Sequence, residues 1–231
     1  MRMVNAMVTP TSGAVFVRGA NVADEDPVRL RRSIGYVLQE GGLFPHRSIA
    51  DNIATVPRLE GATKQASRER ALELLELVGL DREMADRYPA QLSGGQRQRV
   101  GVARALANRA DILLMDEPFG ALDPIVRAEL QRELKEIQRA LGTTILFVTH
   151  DVDEAFTLGD QVAVLSTGGH IEQVGTPTEL LSSPASPFVA EFVGASRAAR
   201  PVRVAGPGGL VVDDAGTPVG TLTTDEAGER P

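Results

Sequence analysis

The sequence predicts an α/β fold built on a parallel sheet. Strand-like and helix-like segments alternate along most of its 231 residues, which is typical of layered α/β proteins. Two strand-like runs, 112–115 and 144–148, are apolar at nearly every position and have no polar face. Such runs are typical of strands in the buried centre of a parallel sheet. The hydrophobic content of 42% is sufficient for a full core.

The first third of the chain predicts two strands and one helix. A strand at 14–17 is followed by a second at 34–38, which delivers Gln39 to a loop. From 67 to 78 the apolar residues recur at helical spacing. Gly79 follows as the C′ residue that ends this helix.

Two further helices are predicted in the middle of the chain. One begins at Ser93, a good N-cap residue, and extends for about four turns. The other covers 126–141 and ends at Gly142. The residues expected on their buried faces are Val100, Ala103 and Leu106 in the first helix, and Leu130, Leu134, Ile137 and Leu141 in the second.

Composition narrows the classes of function. The formal charge of −7 is spread along the chain without a basic block, which argues against a nucleic-acid partner. Cysteine is absent, so disulfides and thiolate metal sites are excluded. No run approaches the roughly 18 apolar residues of a membrane span. We therefore expect a cytoplasmic protein, with any membrane role supplied by a partner.

The segment Leu-Ser-Gly-Gly-Gln at 92–96 suits phosphate binding. It opens a predicted helix, where free backbone N–H groups and the Ser93 hydroxyl can donate hydrogen bonds to a phosphate. Gly94 and Gly95 let the backbone approach such a group closely. Taken alone, the segment has a simpler explanation as a serine-capped turn.

Two buried strands end in polar residues. Asp116 and Glu117 follow one of them, where one carboxylate can hold Mg²⁺ through water and the next can polarise an attacking water. His150 follows the other. Taken singly, the carboxylates are explained as the polar end of a strand, and the histidine as a structural residue.

The order of these motifs is more specific than any one of them. Gln39, 92–96, 112–117, 121–123 and His150 resemble, in sequence, the glutamine loop, signature, Walker B strand with its glutamate, D-loop and histidine switch of the ATP-binding cassette (ABC) family. The resemblance extends from Met1 to about Gly194. It implies a P-loop NTPase-type ABC ATPase domain, with a parallel sheet core plus a helical subdomain.

The resemblance implies a role for each motif residue. Glu117 would be the general base or orient the attacking water, and His150 would contact the γ-phosphate of ATP. Asp116 and Gln39 would help to bind Mg²⁺. In this family the signature acts on the nucleotide of the opposite subunit in a head-to-tail dimer. The ATP-binding set implied in this way is Gln39, Ser93, Gly94, Gly95, Gln96 and Asp123.

The resemblance also implies partners. The chain would work as a homodimer, or with an equivalent ATPase partner, beneath transmembrane permease subunits and indirectly with a substrate-binding protein. It would then be peripheral to the inner face of the membrane. Segments 1–5, 10–13 and 39–53 look like those of quaternary-amine importers for glycine betaine, carnitine or choline. We expect 42–52 to dock the permease, because it carries apolar residues such as Phe44 where a loop is usually polar.

One element of the family is missing from these residues. The phosphate loop, G-x-x-x-x-G-K-[ST], occurs nowhere in the sequence. The only lysines, Lys64 and Lys135, lie outside any such motif. In the family, the segment beginning at Met1 directly follows the phosphate loop. We therefore expect an N-terminally truncated domain, with a start codon assigned to an internal methionine, and weak binding of ATP.

Two other functions fit part of the pattern. A truncated, non-hydrolysing module with a regulatory or vestigial role is supported by the missing lysine, whereas intact Glu117 and His150 argue against it. A DNA-repair or chromosome-associated ATPase would need a long coiled coil between Gln39 and Leu92. Only about fifty residues separate these two positions, and they show no sustained heptad pattern.

The last part of the chain changes in composition. Segments 161–165 and 170–174 predict a final pair of strands, and residues beyond about 200 are rich in Gly, Pro, Ala, Asp and Thr. We predict an ABC ATPase domain at 1–194 and a flexible tail at 195–231. Within the tail, 210–220 resembles the hairpin of a regulatory CBS module, and a disordered Gly/Pro-rich tail is the alternative.

Overall fold

The structure is a computed structural model. It describes residues 1–120, 122–194, 203–204, 210–212 and 218–221, with the backbone alone for Gln39, Glu40 and the strand residues beyond 200 other than Val204. The chain divides into two compact units, residues 1–150 and 151–231. We call these the first unit and the second unit, and each is described by itself.

The first unit begins with a short antiparallel hairpin. Its strands are β1 (Phe16–Val17) and β2 (Ala20–Asn21). The two turn residues, Arg18 and Gly19, both have positive φ, 52° and 79°, as tight two-residue hairpins favour. The predicted strand at 14–17 is limited to two residues, because its partner β2 ends at Asn21, where a 3₁₀ helix begins.

A parallel sheet forms the centre of the first unit. After α1 (Pro27–Ser33), the three strands are β3 (Ile34–Val37), β4 (Ile112–Asp116) and β5 (Thr144–Val148). β4 pairs in parallel with β3 on one side and β5 on the other. The side chains at 113–115 on β4 are at most 1% exposed. The prediction of an α/β fold with this run in the middle of a parallel sheet is confirmed.

The prediction that β5 is equally buried was wrong. In the sheet formed by the described residues, β5 pairs with β4 alone and lies at the edge. Leu146 and Val148 are 44% and 45% exposed. An apolar run identifies a strand, but it does not say how many neighbours cover that strand.

Helices occupy the segment between β3 and β4 and the segment after β4. They are α2 (Ile49–Ile53), α3 (Thr55–Leu59), α4 (Lys64–Leu77), α5 (Gly94–Leu106) and α6 (Pro124–Leu141). α5 contacts β3, α2, α4 and α6. It therefore links the sheet to the surrounding helices.

The start of α5 and the ends of α4 and α6 agree with the sequence, whereas α4 and α6 begin earlier than predicted, at Lys64 and Pro124, because Thr63 and Asp123 cap them. Ser93 caps α5, and the glycines after α4 and α6, Gly79 and Gly142, have positive φ of 68° and 62°. The predicted inward residues of α5 and α6 are buried, with one exception. Leu141 is 47% exposed, because it occupies the last turn of α6, beyond the part that packs inward.

The second unit contains two small sheets and short helices. Its elements are α7 (Val152–Leu158), β6 (Val162–Leu165), β7 (Ile171–Gly175), α8 (Pro177–Ser182), α9 (Pro187–Phe192), β8 (Arg203–Val204), β9 (Leu210–Val212) and β10 (Pro218–Thr221). The antiparallel pair β6 and β7 confirms the predicted final strands. A core of Val164, Leu180, Val189 and Val193 joins this pair to α8 and α9.

The tail is only partly described. β9 pairs antiparallel with β8 and with β10. Most of the predicted flexible tail, including 195–202, lies outside the described residues. The domain boundary at 194 and the resemblance to a CBS module stay predictions.

Candidate functional site

The carboxyl ends of the three parallel strands place polar residues along one edge. Gln39 follows β3, Asp116 ends β4 opposite Val148 of β5, and His150 comes two residues after Val148. Gln39 opens a 3₁₀ helix, Gln39–Gly42, rather than an irregular loop. The sheet thus collects four of the predicted site residues, because Glu117 follows Asp116 directly.

Glu117 and His150 are in direct contact. His150 Nδ1 lies 3.2 Å from Glu117 Oε1, and the two side chains are 74% and 36% exposed respectively. The Glu117 N–H donates to the Val148 carbonyl oxygen at 3.0 Å, which extends the pairing of β4 with β5 by one residue. The carboxylate and the imidazole therefore form a solvent-accessible pair beyond the sheet edge.

The backbone of Glu117 is strained. Its φ is +44°, a left-handed conformation that costs a residue with a side chain about 1 kcal/mol or more. Two backbone hydrogen bonds hold it, one to Val148 and one accepted from the Gly120 N–H at 3.3 Å. Strain of this kind is typical of residues whose side chain must point in a set direction at a functional site.

Asp116 places a negative charge beside β3. Tyr36, on β3, has a raised pKa because its hydroxyl is partly buried and because the Asp116 carboxylate opposes its ionisation. Asp116 itself is half-buried. Its carboxylate therefore lies at the sheet edge, near enough to Tyr36 to oppose the ionisation of the tyrosine hydroxyl.

The carboxylates at this edge suit Mg²⁺ better than a metal ion that needs three or more protein ligands. Among the residues that the structure describes, no group of three His, Cys, Asp or Glu side chains could enclose a metal ion. Mg²⁺ commonly keeps several waters and binds through one or two carboxylates together with substrate phosphates. A single strand-end carboxylate, Asp116, with Gln39 just after the neighbouring strand β3, fits that mode of binding.

The Ser93 segment is ordered by a capping box. Ser93 Oγ accepts from the Gln96 N–H at 3.2 Å, and Gln96 Oε1 accepts from the Ser93 N–H at 3.0 Å. Ser93 and Gly94 are exposed. The start of α5 therefore presents a fixed, open N-terminus, while the Gln96 side chain is engaged within the protein.

Gly95 has a packing role in addition to the predicted one. It is buried, and a Cβ at this position would lie 2.8 Å from Val126 Cγ1 on α6. Gly94 is different, because its nearest neighbour would be Leu122 Cδ2 at 3.8 Å. One glycine is thus required by the contact between α5 and α6, and the other is free to face a ligand.

Asp123 acts locally as the N-cap of α6. Its Oδ1 accepts from the N–H groups of Ile125 and Val126, both at 3.1 Å. Ser93 and Gln96 hydrogen-bond each other, whereas Glu117 contacts His150. The structure therefore brings the sheet-edge residues together and leaves Ser93, Gly94 and Asp123 at the starts of two helices.

Arg104 contacts the 3₁₀ helix that Gln39 opens, and the sequence pattern did not reveal this contact. It lies on α5, and its guanidinium donates to the carbonyl oxygens of Gly42 at 2.7 Å and Gly41 at 2.8 Å. Burial lowers its pKa. An arginine within a helix carries no sequence signal of such a partner, since both acceptors are backbone atoms about sixty residues away.

Comparison with known families identifies the chain. The sequence profile described as "ABC transporter" matches residues 1–120. The chain belongs to the ABC transporter family. The family resemblance drawn from the motifs is thereby confirmed, and so is the fold that it implied.

Individual relatives agree. The ABC protein is 54% identical over 197 residues both to the glycine betaine/carnitine/choline transport ATP-binding protein OpuCA and to the choline transport ATP-binding protein OpuBA of Bacillus subtilis. Each match covers 85% of this chain and 52% or 51% of the relative. The chain thus spans about half the length of these two relatives.

A solved structure shows the same fold. The ATP-binding cassette MJ0796, in a dimeric post-hydrolysis state bound to ADP and Pi, matches with a TM-score of 0.67 and 33% identity. The match covers 76% of this chain and 78% of that one. Within the described part of the ABC protein, no helix is long and apolar enough to cross a membrane.

Proposed function

We propose that this chain is the ATP-binding subunit of an importer for quaternary ammonium compounds such as glycine betaine, choline or carnitine. The observation that carries the proposal is the Glu117 and His150 pair beside Asp116 at the sheet edge of an ABC family member. The substrate class is supported by the names of the two relatives. Selection of the substrate itself would belong to the permease and a substrate-binding protein.

Glu117 is proposed as the general base or water-orienting residue. Its carboxylate is accessible, it is aimed by a strained backbone, and it contacts an imidazole that can hold it in place. His150 would contact the γ-phosphate and keep the water in line for attack. Phosphoryl transfer gains most from such positioning and charge stabilisation.

Asp116 and Gln39 are the proposed residues for Mg²⁺. Bound there with ATP, the ion would neutralise charge that develops on the phosphates. Asp116 is held by β4, and the 3₁₀ helix that starts at Gln39 is held by Arg104. The two residues are thus fixed relative to the same sheet edge.

The proposed assembly is a dimer of two such chains, or of this chain with an equivalent ATPase. The open N-terminus at Ser93 and Gly94 is separate from the Glu117 pair, so these donors suit a nucleotide held by another subunit. Gly95, Gln96 and Asp123 would support this surface by shaping the starts of α5 and α6. The related cassette MJ0796 is described as dimeric.

The permease is proposed to dock on residues 43–48, which we call the docking loop. Phe44 is 41% exposed, and Arg47 lies over its ring at 5.0 Å. An exposed aromatic residue beside a cation is typical of the central residues of protein interfaces. The alternative, in which Phe44 is tucked into its own domain, is less consistent with that exposure. The chain would then be peripheral on the cytoplasmic face of the membrane.

A second candidate is a regulatory module that dimerises without hydrolysing ATP. The observation in its favour is that no phosphate loop occurs among the 231 residues. The Glu117 and His150 pair would have no use in such a module.

Transport by a reconstituted system tests the proposal. The chain would be preceded by a phosphate-loop segment taken from a relative, giving what we call the extended protein, and combined in vesicles with a quaternary-amine permease and its binding protein. We expect ATP-dependent uptake of labelled glycine betaine or choline, and none with Glu117→Gln. ATP hydrolysis without uptake of any quaternary amine would overturn the substrate class, and absence of hydrolysis would favour the second candidate.

A further inference from the structure

Asn52 lies beneath the docking loop and is fully buried. It belongs to α2 and is 0% exposed. A buried primary amide is costly unless its donors and acceptor are satisfied. The predicted docking segment 42–52 therefore ends at a residue that cannot itself touch a partner.

The Asn52 amide is satisfied by the backbone of the docking loop. Its Oδ1 accepts from the Phe44 N–H at 2.7 Å. Its Nδ2 donates to the carbonyl oxygens of Phe44, Arg47 and Ser48 at 3.1, 3.1 and 3.0 Å. One side chain thus binds both backbone groups of Phe44 and the far end of the same loop.

These bonds fix the loop backbone while its side chains remain accessible. The Arg47 N–H donates to the Phe44 carbonyl oxygen at 3.2 Å and closes a turn. Phe44, His46 and Arg47 are exposed on that turn, and the Phe44 and His46 rings lie 6.1 Å apart. The Asn52 N–H also donates to the Ser48 carbonyl oxygen at 2.9 Å, so Asn52 holds the loop through its backbone as well as its side chain.

We propose that Asn52 is a positioning residue for permease binding. By holding the docking loop in one conformation before contact, it removes the ordering cost that a mobile loop would add to association. It does so without touching the permease or the nucleotide. This inference rests on the proposed function, in which the docking loop binds the permease.

The decisive experiment measures permease affinity in matched variants of the extended protein. Asn52→Ala removes all four hydrogen bonds, and Asn52→Asp keeps the acceptor while replacing both donors with an oxygen facing three carbonyl groups. The control is Ile53→Val, a neighbouring fully buried residue of α2 that makes none of these bonds. Permease binding should weaken by about tenfold or more in both Asn52 variants. Permease binding should change little in Ile53→Val when each variant is measured equally far below its own thermal unfolding midpoint.

Two further readouts separate positioning from general damage. The ATPase rate of the isolated extended protein should change by less than about twofold, since the four side-chain hydrogen bonds of Asn52 all go to the docking loop. Hydrogen exchange at the Phe44 amide should be slow in the unaltered protein and fast in Asn52→Ala. Fast exchange at Phe44 in the unaltered protein would overturn the proposal, even if neither variant folds.

The variant Phe44→Asp separates the docking assignment from the positioning role of Asn52. Phe44→Asp should weaken permease binding if the docking loop is the interface. If it does not, the docking assignment fails, whatever the Asn52 variants do. If Phe44→Asp weakens binding while the Asn52 variants behave like Ile53→Val, only the positioning role is wrong.

Discussion

At the scale of single residues, Glu117 shows how the fold directs one side chain. Its position after a buried strand could be predicted from the sequence, and so could its charge. Its φ of +44° and its contact with His150 could not, because they depend on the pairing of β4 with β5. The proposed catalytic role rests on those two structural facts as much as on the motif.

Replacing Glu117 with Gln in the extended protein should abolish ATP turnover and leave ATP binding intact. The amide keeps the shape of the side chain but cannot accept a proton or polarise water as a carboxylate does. A stable ATP-bound dimer should accumulate, which size-exclusion chromatography with ATP would detect. Hydrolysis at near the parent rate would show that another residue has the role.

The strain at Glu117 makes a separate prediction about stability. At a left-handed position glycine avoids the Cβ clash that alanine suffers. We expect Glu117→Gly to be more stable than Glu117→Ala by about 1 kcal/mol, measured by urea unfolding of the 231-residue chain. Equal stability of the two variants would mean that the backbone relaxes and holds no strain.

At the scale of elements, capping residues were the most reliable guide to where helices begin and end. Ser93, Gly79 and Gly142 end or begin helices where the sequence placed them, because these residues act through their own backbone and near neighbours. β5 was predicted in the right place with the wrong burial, since burial depends on neighbouring elements. Asn52 and Arg104 carried no signal, because their partners are backbone groups outside their own helices.

The close approach of α5 and α6 can be tested at Gly95. A methyl group there would lie 2.8 Å from Val126 Cγ1, and valine has little rotamer freedom in a helix. Gly95→Ala should therefore destabilise the chain by about 1 to 3 kcal/mol. The matched control, Gly94→Ala, should be near neutral, because its methyl would make only ordinary contacts, with Leu122 Cδ2 at 3.8 Å and Arg97 Nη2 at 3.9 Å. Chemical denaturation of both variants compares them, and similar loss in each would refute the packing argument.

The attachment of the first hairpin to the sheet should depend on pH. Arg18, in the hairpin turn, donates from Nε to Asp111 Oδ2 at 2.9 Å and from Nη1 to Ser33 Oγ at 3.1 Å. The hydrogen bond from Arg18 lowers the pKa of Asp111. A lowered pKa contributes stability above the unfolded value of about 3.9, and that contribution is lost as pH falls through the folded value.

Arg18→Gln should therefore unfold at a lower urea concentration than the parent at pH 7, and the difference should shrink below about pH 4. The Arg18 and Asp111 side chains are 38% and 62% exposed, so the effect should be small and should decrease with added salt. Arg109→Gln, at an exposed arginine, is the control. A difference that persists unchanged at pH 3 would show that the ion pair does not cause it.

At the scale of the whole molecule, the motif order identified the family although each motif was ambiguous. The profile match to residues 1–120 and the fold shared with MJ0796 agree with that interpretation. The sequence could not show which residues of one segment face outward and which pack inside. Gly94 faces outward while Gly95 packs, and Phe44 is exposed while Asn52 holds it from beneath.

The 231-residue chain should bind ATP very weakly. No residue in it replaces the lysine and the backbone N–H groups of a phosphate loop. Charge-assisted hydrogen bonds of this kind contribute about 1.5 to 3 kcal/mol each, so lacking several of them should weaken binding by several orders of magnitude. Ser93 and Gly94 cannot compensate, because they are proposed to face the nucleotide of another subunit. Calorimetry should detect ATP binding to the extended protein and little or none to the 231-residue chain, whereas comparable affinity would show that the sheet edge binds ATP without a phosphate loop.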